Sequence, residues 1–241
     1  MEILSPVSNG MKAVIFAAGE GKRLRPLTLE RPKPLVEVAG KPLIQHIWEV
    51  LPGVIDEVVV VVGYKSEMLR DFLGDEFLAK KVTYVKQDKP LGTADALYLC
   101  KSHLENEDKF LLMYADDLHG RDGINRCLEH DMALLVHFVD DPRSFGVVVP
   151  NPDGTIRCID EKPEYPKSNL AVTGVYVLTP EIFNYESTRV RNGERFLTDM
   201  IEEYIRHNPM HIVESDFWVP IGYPHDIEHA EEILRGLPRA E

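Results

Sequence analysis

The sequence has few cysteines and no long apolar run. Its three cysteines, Cys100, Cys127 and Cys158, are odd in number and widely spaced, with no Cys-x-x-Cys pair or histidine cluster around them. This pattern argues against a disulfide framework and a structural zinc site, and it predicts a reducing, cytoplasmic setting. No apolar stretch approaches the roughly 20 residues of a membrane-spanning helix, so no membrane partner is expected.

Positive charge is also scarce, because 27 Lys and Arg residues stand against 40 Asp and Glu, a formal net charge of -13. A nucleic-acid polymer or an anionic membrane would favour an extended basic face, so neither is an expected partner. The leader MEILSPVSNG lacks the basic and apolar regions of a signal peptide. We expect residues 1–10 to form a flexible extension and residues 11–241 a single domain with one substantial core.

What the chain does contain is an alternation of apolar runs and helical spacing. Strands are predicted over residues 12–17, 58–62, 82–86, 110–114 and 132–139, and helices over residues 43–51, 66–73, 94–104 and 124–130. This alternation predicts an α/β fold with a Rossmann-like, mainly parallel sheet and helices on both faces. Ligands bind such sheets at the carboxyl ends of the strands.

From Phe145 the pattern becomes rich in strands. The turn sequence Asn151-Pro-Asp-Gly154 separates two short strand-like runs and predicts a hairpin. The remaining predicted elements are a strand over 170–178, helices over 180–185 and 198–207, a strand over 210–213 and a helix from about residue 225. No linker separates these elements, so they are expected to form a small β-rich layer on the same domain.

The stretch 12–34, KAVIFAAGEGKRLRPLTLERPKP, carries the strongest local signal. After the first strand, Gly19 and Gly21 remove side-chain bulk where backbone N–H groups could approach an anion. Lys22, Arg23, Arg25 and Lys33 follow within a dozen residues. In an acidic chain this block predicts a phosphate site, and the alternative is a surface loop with solvated basic residues.

Two common glycine-loop motifs do not fit this stretch. A P-loop needs glycine where Phe16 stands and serine or threonine where Arg23 stands. A dinucleotide fingerprint needs a small residue in place of Leu24 and an immediate helix, which Pro26 and the prolines after it oppose.

The segments AAGEGKRLRPLT and RPKPLVEVAGKPLI resemble the signature of the sugar-1-phosphate nucleotidyltransferases, or nucleoside-diphosphate-sugar pyrophosphorylases. The resemblance runs from about residue 11 to residue 235 and keeps several motifs in the family's order. It implies the nucleotide-diphospho-sugar transferase fold, transfer of a nucleotidyl group to a sugar 1-phosphate, and Mg²⁺ as cofactor. It also implies that Ala18, Gly19 and Gly21 contact the nucleotide.

The segment that follows the third strand is a loop leading into a helix. Gly92 permits close backbone approach, and the helix N-terminus offers free N–H groups, although ordinary helix capping by Thr93 is the alternative. The resemblance implies that Gln87 and Gly92 contact the nucleotide base.

Two carboxylates, Asp116 and Asp117, follow the predicted strand 110–114. Two negative charges are costly there without a cation, and Mg²⁺ uses one or two carboxylates together with substrate phosphates. A turn or cap is the alternative. Because the family has Gly-Asp-Asn or Gly-Asp-Asp here, the resemblance implies that Asp116 is a metal ligand, with Ala115 in place of the glycine.

The segment EKPEYPKSNLAVTGVY resembles the glucose-1-phosphate thymidylyltransferase branch of the family. This resemblance implies that Gly146, Glu161 and Thr173 face the sugar, that Lys162 holds its phosphate, and that the β-rich layer binds the sugar. On its own, the Glu161-Lys162 pair would be a surface ion pair of little energetic weight.

The C-terminal motifs fit less well. Glu194-Arg-Phe-Leu-Thr-Asp199 resembles a family segment, but FWVPIGYP stands where the family has Trp-x-Asp-x-Gly-Thr-Pro. Pro220 therefore replaces the second metal-binding Asp, and a proline ring cannot bind magnesium. Asp226 is expected to be the N-cap of the final helix. Asp216 would lie about 13 Å from the position of Pro220 along an extended strand, which is too far for it to act as the second metal ligand.

Together these residues predict a nucleotidyltransferase that uses dTTP or UTP and glucose 1-phosphate and releases pyrophosphate. The predicted catalytic residues are Arg23 at the leaving pyrophosphate, Lys33 between the substrates and Lys162 at the attacking phosphate. The alternative is a non-catalytic, nucleotide-sugar-binding regulatory protein of the same fold, which Pro220 favours.

Two further points follow from the family pattern. A glycosyltransferase would fit the sheet but not the GEGKRLRP loop, and the absence of a hexapeptide period argues against a bifunctional acetyltransferase. The family's frequent self-association leads us to expect a homo-oligomer.

Overall fold

A computed structural model describes residues 10–191 and 193–236 of the chain. Apart from Gly10, the expected extension over residues 1–10 lies outside the described residues. Within the two described ranges, no helix is both long enough and apolar enough to cross a bilayer.

The strands form one large sheet and two small ribbons. In chain order they are β1 (Met11–Ala17), β2 (Glu37–Val38), β3 (Lys41–Pro42), β4 (Ile55–Val62), β5 (Glu76–Phe77), β6 (Lys80–Lys86), β7 (Phe110–Tyr114), β8 (Asp117–His119), β9 (Ala133–Phe138), β10 (Gly146–Pro150), β11 (Ile156–Glu161), β12 (Leu170–Leu178), β13 (His211–Glu214) and β14 (Trp218–Pro220). The large sheet has the order β11-β10-β12-β7-β1-β4-β6-β5, with β9 and β13 attached through β12. The ribbons are β2–β3 and β8–β14.

The centre of the large sheet is parallel, because β7, β1, β4 and β6 all run in one direction. Strand β12 is antiparallel to β7 and pairs with the predicted hairpin β10–β11. The β-rich region is therefore continuous with the parallel sheet through β12. This architecture confirms the predicted α/β fold class.

Helices cover both faces of the sheet. They are α1 (Leu27–Glu30), α2 (Leu43–Val50), α3 (Ser66–Leu73), α4 (Thr93–Leu99), α5 (Lys101–Leu104), α6 (Arg121–Cys127), α7 (Leu197–Ile205) and α8 (Pro224–Gly236). Strand β4 is apolar at consecutive positions because it is buried on both faces. Val58 and Val60 pack in one core cluster with Trp48 of α2, and Val59 and Val61 pack in another with Leu97 of α4. A strand buried on both faces has no solvent-facing side to make polar.

Three predicted helices differ from the structure. The predicted helix over 94–104 is two helices, α4 and α5, because the chain tightens at Cys100, whose N–H bonds to the Leu97 carbonyl three residues back. The predicted helix over 124–130 begins three residues earlier, as α6, because the Asp216 carboxylate accepts a hydrogen bond from Gly123 N (2.7 Å) in its first turn. The predicted helix over 180–185 is a 3-10 turn, Pro180–Asn184.

Candidate active site

A cavity of about 520 Å³ lies at the carboxyl ends of the parallel strands β1 and β7. Eight of the predicted site residues line it: Ala18, Gly19, Gly21, Arg23, Lys33, Gln87, Gly92 and Asp116. The other four, Gly146, Glu161, Lys162 and Thr173, lie on β10, β11 and β12 or directly after them. The structure thus brings the predicted nucleotide residues together around one opening.

The glycine loop after β1 is built onto the segment that carries Lys33. Gly21 has a φ of +62°, and a Cβ there would lie 3.0 Å from side-chain atoms of both Lys33 and Thr28. Thr28 Oγ1 also donates a hydrogen bond to the Gly21 carbonyl at 2.9 Å. Only glycine meets both demands, the left-handed backbone and the close approach.

The cations of this loop are not equivalent. The Glu20 carboxylate lies 3.3 Å from Lys22 Nζ and 3.6 Å from an Arg25 nitrogen. Arg23 has no carboxylate within 4.0 Å among the described residues, and its guanidinium lies 5.4 Å from the centre of the Tyr223 ring. Arg23 is therefore the loop cation whose charge is available to a phosphate in the cavity.

A partly buried ion pair, Lys33–Asp116, lines the cavity beside the glycine loop. Lys33 Nζ lies 3.2 Å from Asp116 Oδ2, and the Lys33 side chain is only 10% exposed, whereas that of Asp116 is 39% exposed. Lys33 thus supplies the cation that a carboxylate at this strand end requires. The exposed part of Asp116 remains open to the cavity.

Asp117 has a different task from its neighbour. Its carboxylate accepts hydrogen bonds from Trp218 Nε1 and from Ile221 N, both at 3.0 Å. Burial, reinforced by the nearby charge of Asp116, raises the pKa of Asp117 to about 7. Asp117 therefore fastens β14 against β8, and Asp116 is the member of the pair that lines the cavity.

The residues present fit a magnesium ion only in part. Pro220 pairs with Asp117 across the β8–β14 ribbon, so no carboxylate stands at the second metal-binding position of the family pattern. No group of three or more His, Cys, Asp or Glu side chains in the described part of the chain is arranged to hold a metal. One carboxylate, Asp116, together with substrate phosphates is a donor set that Mg²⁺ accepts.

The remaining nearby carboxylates are engaged elsewhere. Asp226 is the third residue of α8, not its N-cap as predicted, and its Oδ2 accepts hydrogen bonds from Gly222 N (2.8 Å) and Tyr223 N (2.7 Å). It therefore reaches back to the chain entering the helix, as the acidic residue of a capping box does. Asp216 caps α6, so neither side chain substitutes for the missing ligand.

The side of the cavity that carries Gln87 and Gly92 is made by two segments that are hydrogen-bonded to each other. Gly92 has a φ of +102°, and a Cβ there would lie 2.1 Å from the Arg195 carbonyl oxygen. Ala94 N donates to that carbonyl at 3.1 Å, and Leu197 N donates to Thr93 Oγ1 at 2.8 Å. Thr93 therefore ties α4 to α7 and does not serve as a simple cap of its own helix.

The predicted sugar residues Gly146, Glu161, Lys162 and Thr173 lie in the β-rich part of the sheet and are not among the residues that line the cavity. Gly146 pairs with Glu161 across the hairpin, and a Cβ at Gly146 would lie 3.3 Å from Glu161 Oε2. Thr173 is buried, and its hydroxyl donates to the Leu135 carbonyl at 2.8 Å. Lys162 has a φ of +47° and a side chain that is 63% exposed. Gly146 and Glu161 are thus adjacent, while the Thr173 hydroxyl is already bonded within the protein.

The cavity residues without a predicted ligand role include Thr93, Tyr114 and Glu194. Tyr114 ends β7 and stacks on Phe16 at 5.7 Å, and burial raises its pKa to about 12, with smaller contributions from the Asp116 and Glu161 charges. An aromatic residue at the end of a predicted strand could have indicated from the sequence alone that Tyr114 lines the cavity. Glu194 belongs to a recognised motif, but only the contact of Arg195 with Gly92 brings it to the cavity.

Comparison with known proteins agrees with this geometry. The family model for nucleotidyl transferases matches residues 12–235. A structure described as a glucose-1-phosphate thymidylyltransferase from Bacillus anthracis superposes with a TM-score of 0.83 at 28% identity, covering 96% of this chain and 98% of that one. A UDP-glucose pyrophosphorylase has the same fold, with a TM-score of 0.84 at 23% identity over 93% of this chain and 98% of that one.

Sequence relatives fall into two lengths. The UTP–glucose-1-phosphate uridylyltransferase AglF of Haloferax volcanii is 38% identical, over 93% of this chain and 97% of its own length. The bifunctional protein GlmU of Methanocaldococcus jannaschii is 36% identical over 93% of this chain, but the chain spans only 54%, about half, of that relative's length. On the family model, these relatives and the shared cavity geometry, the chain belongs to the nucleotidyl transferase family.

Proposed function

We propose that this chain joins a nucleoside triphosphate to a sugar 1-phosphate, forming a nucleotide sugar and pyrophosphate, with UTP or dTTP and glucose 1-phosphate as the substrates. The observation that carries the proposal is the Lys33–Asp116 pair, which opens into the same cavity as the glycine loop and Arg23. Cations of this kind are needed where a triphosphate is held and split. The relatives named for these substrates support the same choice.

The reaction is an in-line displacement at the α-phosphorus. An oxygen of the sugar 1-phosphate forms a bond to that phosphorus, and the bond from phosphorus to the pyrophosphate oxygen breaks. No side-chain base is required, because a phosphate monoester with a second pKa of about 6 is already largely dianionic at neutral pH. The work of the protein is therefore positioning and charge neutralisation.

Each charged residue has a place in this scheme. Arg23 stabilises the leaving pyrophosphate, Lys33 neutralises charge between the substrates, and Lys162 holds the attacking phosphate. Gly146, Glu161 and Thr173 are proposed to face the sugar. Asp116 would hold Mg²⁺ together with substrate phosphates, and the ion would supply further charge neutralisation at the phosphates.

The setting of the reaction is part of the proposal. We place the protein in the cytoplasm and treat residues 11–241 as one domain. The three cysteines are free, and burial raises the pKa of Cys100 and of Cys127 to about 12, which suits unreactive thiols in a reducing compartment.

The test is pyrophosphate release from a panel of nucleoside triphosphates and sugar 1-phosphates with Mg²⁺, run with the wild type, Asp116→Ala and the exposed control Asp88→Ala. We expect turnover with UTP or dTTP and glucose 1-phosphate, reduced about 10³-fold in Asp116→Ala and unchanged in Asp88→Ala. Absence of turnover with every pair, combined with measurable binding of a nucleotide sugar, would refute the proposal.

That second outcome would favour a nucleotide-sugar-binding regulatory protein. The observation behind this alternative is Pro220, which stands on β14, paired with Asp117, where the family pattern has the second metal-binding carboxylate. The same assay with Pro220→Asp distinguishes the binding protein from the enzyme. If the chain is a regulatory binding protein, the restored carboxylate would give turnover that the wild type lacks.

A further inference from the structure

The carboxamide of Gln87 is held by two acceptors at the edge of the cavity. Its Nε2 donates to the Gly92 carbonyl at 3.0 Å and to Asp95 Oδ2 at 3.2 Å. Both amide hydrogens are therefore used inside the protein. Among the residues that the structure describes, none donates a hydrogen bond to Gln87 Oε1.

The direction of this amide is fixed by what surrounds it. A carbonyl oxygen and a carboxylate oxygen both accept, so a reversed amide would place Oε1 against two acceptors and lose both hydrogen bonds. Asp95 contributes the charged acceptor, which makes the stronger hydrogen bond of the two kinds. Gln87 consequently presents a hydrogen-bond acceptor, and not a donor, to a ligand in the cavity.

Asp95 acts behind Gln87 and not in the cavity itself. It lies in the first turn of α4, where a negative charge is favoured by the helix dipole, and it is not among the residues that line the cavity. Gln87, Gly92 and Thr93 form the wall in front of it. A change at Asp95 therefore reaches a nucleotide only through the amide that it orients.

We propose that Asp95 is the positioning residue that selects the nucleobase, because it turns Gln87 Oε1 toward a base that offers a ring N–H. Uracil and thymine present an N–H at position 3, whereas cytosine presents a lone pair there, which would face the acceptor Oε1. The inference rests on the proposed function in taking a nucleoside triphosphate as the ligand. It adds the residue that makes the choice between bases.

The experiment measures UTP and CTP with the full chain, by binding calorimetry and by kcat/KM for pyrophosphate release. The variants are Asp95→Asn, Asp95→Leu and, as a matched control for the lost charge, Asp88→Asn in the loop that precedes α4. Asp88 is 75% exposed on its side chain and pairs with Lys86. Thermal melting of each variant shows whether the fold is retained.

We expect the UTP-over-CTP ratio to fall about tenfold or more in Asp95→Asn, because asparagine can donate to Oε1 and stabilise the reversed amide. The ratio should fall less in Asp95→Leu, which removes the acceptor without bringing a donor. It should not change in Asp88→Asn, because Asp88 pairs with Lys86 and does not orient the Gln87 amide, so the loss of its charge affects both triphosphates alike.

The outcomes separate this inference from the proposed function. A ratio that stays constant in both Asp95 variants, with UTP and CTP weakened equally, would mean that Asp95 is only structural and would overturn the inference. If calorimetry gives the expected change in ratio while no variant or wild type releases pyrophosphate, the transferase proposal fails and the role of Asp95 stands.

Discussion

The predicted site residues lie in two halves of the sheet that are built differently. The parallel half, β6-β4-β1-β7 and its connections, supplies most of the cavity lining in three segments that follow β1, β6 and β7. The antiparallel half, β9–β12 with the β8–β14 ribbon, carries the predicted sugar residues Gly146, Glu161, Lys162 and Thr173, which are not among the residues that line the cavity. Polar groups of the first half stand mainly where the sequence marks the end of a strand, whereas those of the second depend on the partners that strand pairing brings to them.

Thr173 and Asp117 show the consequence of that difference. Both are polar residues of the antiparallel half, and both hydrogen-bond within the protein. The Thr173 hydroxyl donates to the Leu135 carbonyl, and the Asp117 carboxylate accepts from Trp218 Nε1 and Ile221 N. By contrast, Arg23 in the parallel half has no carboxylate partner among the described residues. A polar side chain near the cavity is thus informative about ligands only after its internal bonds are known.

The largest expected effect tests whether the two halves of the molecule handle different substrates. Lys33→Met removes the cation beside Asp116, and we expect kcat/KM to fall about 10²–10³-fold through kcat, because the lost charge acts on the transition state. Lys162→Met should instead raise the KM for the sugar 1-phosphate more than the KM for the triphosphate. Steady-state kinetics with each substrate varied in turn makes the measurement.

Equal effects of the two lysine substitutions on both KM values would contradict this division. In that case the two halves would not handle different substrates. Lys65→Met, at a lysine of the loop after β4 that is absent from the cavity lining, serves as the control and should leave the kinetics unchanged.

The next effect tests the rigidity of the parallel half. Gly92→Ala places a methyl group 2.1 Å from the Arg195 carbonyl at a φ of +102°, so we expect a loss of about 3 kcal/mol in the free energy of unfolding and weaker nucleotide binding. Denaturant unfolding and calorimetry with UTP measure the two effects. Gly53→Ala, which meets no atom within 4 Å, should change neither. If the Gly92→Ala protein is stable and binds UTP tightly, the loop that carries Gly92 can move away from the backbone at Arg195 without cost.

A smaller effect belongs to the antiparallel half and depends on pH. Burial lowers the pKa of His119 to about 4, and neither ring nitrogen has a hydrogen-bond partner among the described residues. The unfolded chain takes up this proton near its ordinary pKa of about 6.5, and the folded protein only near 4. Stability is therefore full above pH 6.5 and falls as the pH drops toward 4, by up to about 3 kcal/mol.

The comparison that isolates this effect is His119→Phe against the wild type, by urea unfolding at several pH values. The phenylalanine protein should lose less stability between pH 6.5 and 4, since it has no proton to take up there. His207→Gln, at an exposed position, should follow the wild type. Parallel curves for His119→Phe and the wild type would assign the acid sensitivity to other groups.

The smallest expected effect concerns the site where the halves meet. Pro220→Asp adds a carboxylate beside Asp117 and near Asp116, so we expect a several-fold lower Mg²⁺ concentration for half-maximal activity and a lower melting temperature when the metal is removed with EDTA. Titration of Mg²⁺ in the activity assay and melting with and without EDTA provide the measurement. An unchanged Mg²⁺ requirement would mean that this position takes no part in metal binding.

The main strands of the parallel half could be predicted from the sequence, because β1, β4 and β7 are continuous apolar runs, and the segments after β1 and β7 carry Gly21, Lys33 and Asp116. The antiparallel half was less accessible. That Asp216 caps α6 depends on a contact with Gly123, 93 positions away in the sequence, which no local pattern specifies. The role of Thr93 was also hidden, because its partner Leu197 lies about a hundred residues along the chain.

The contact between Gly92 and Arg195 also sets an order of assembly. The glycine loop, Lys33 and Asp116 all belong to the first half of the chain, which leaves the ribosome first. The loop that carries Gly92, however, packs against backbone that is synthesised much later, just before α7. A nascent chain that ends before this segment would therefore carry the glycine loop, Lys33 and Asp116 but lack the backbone that fixes the Gly92 side of the cavity.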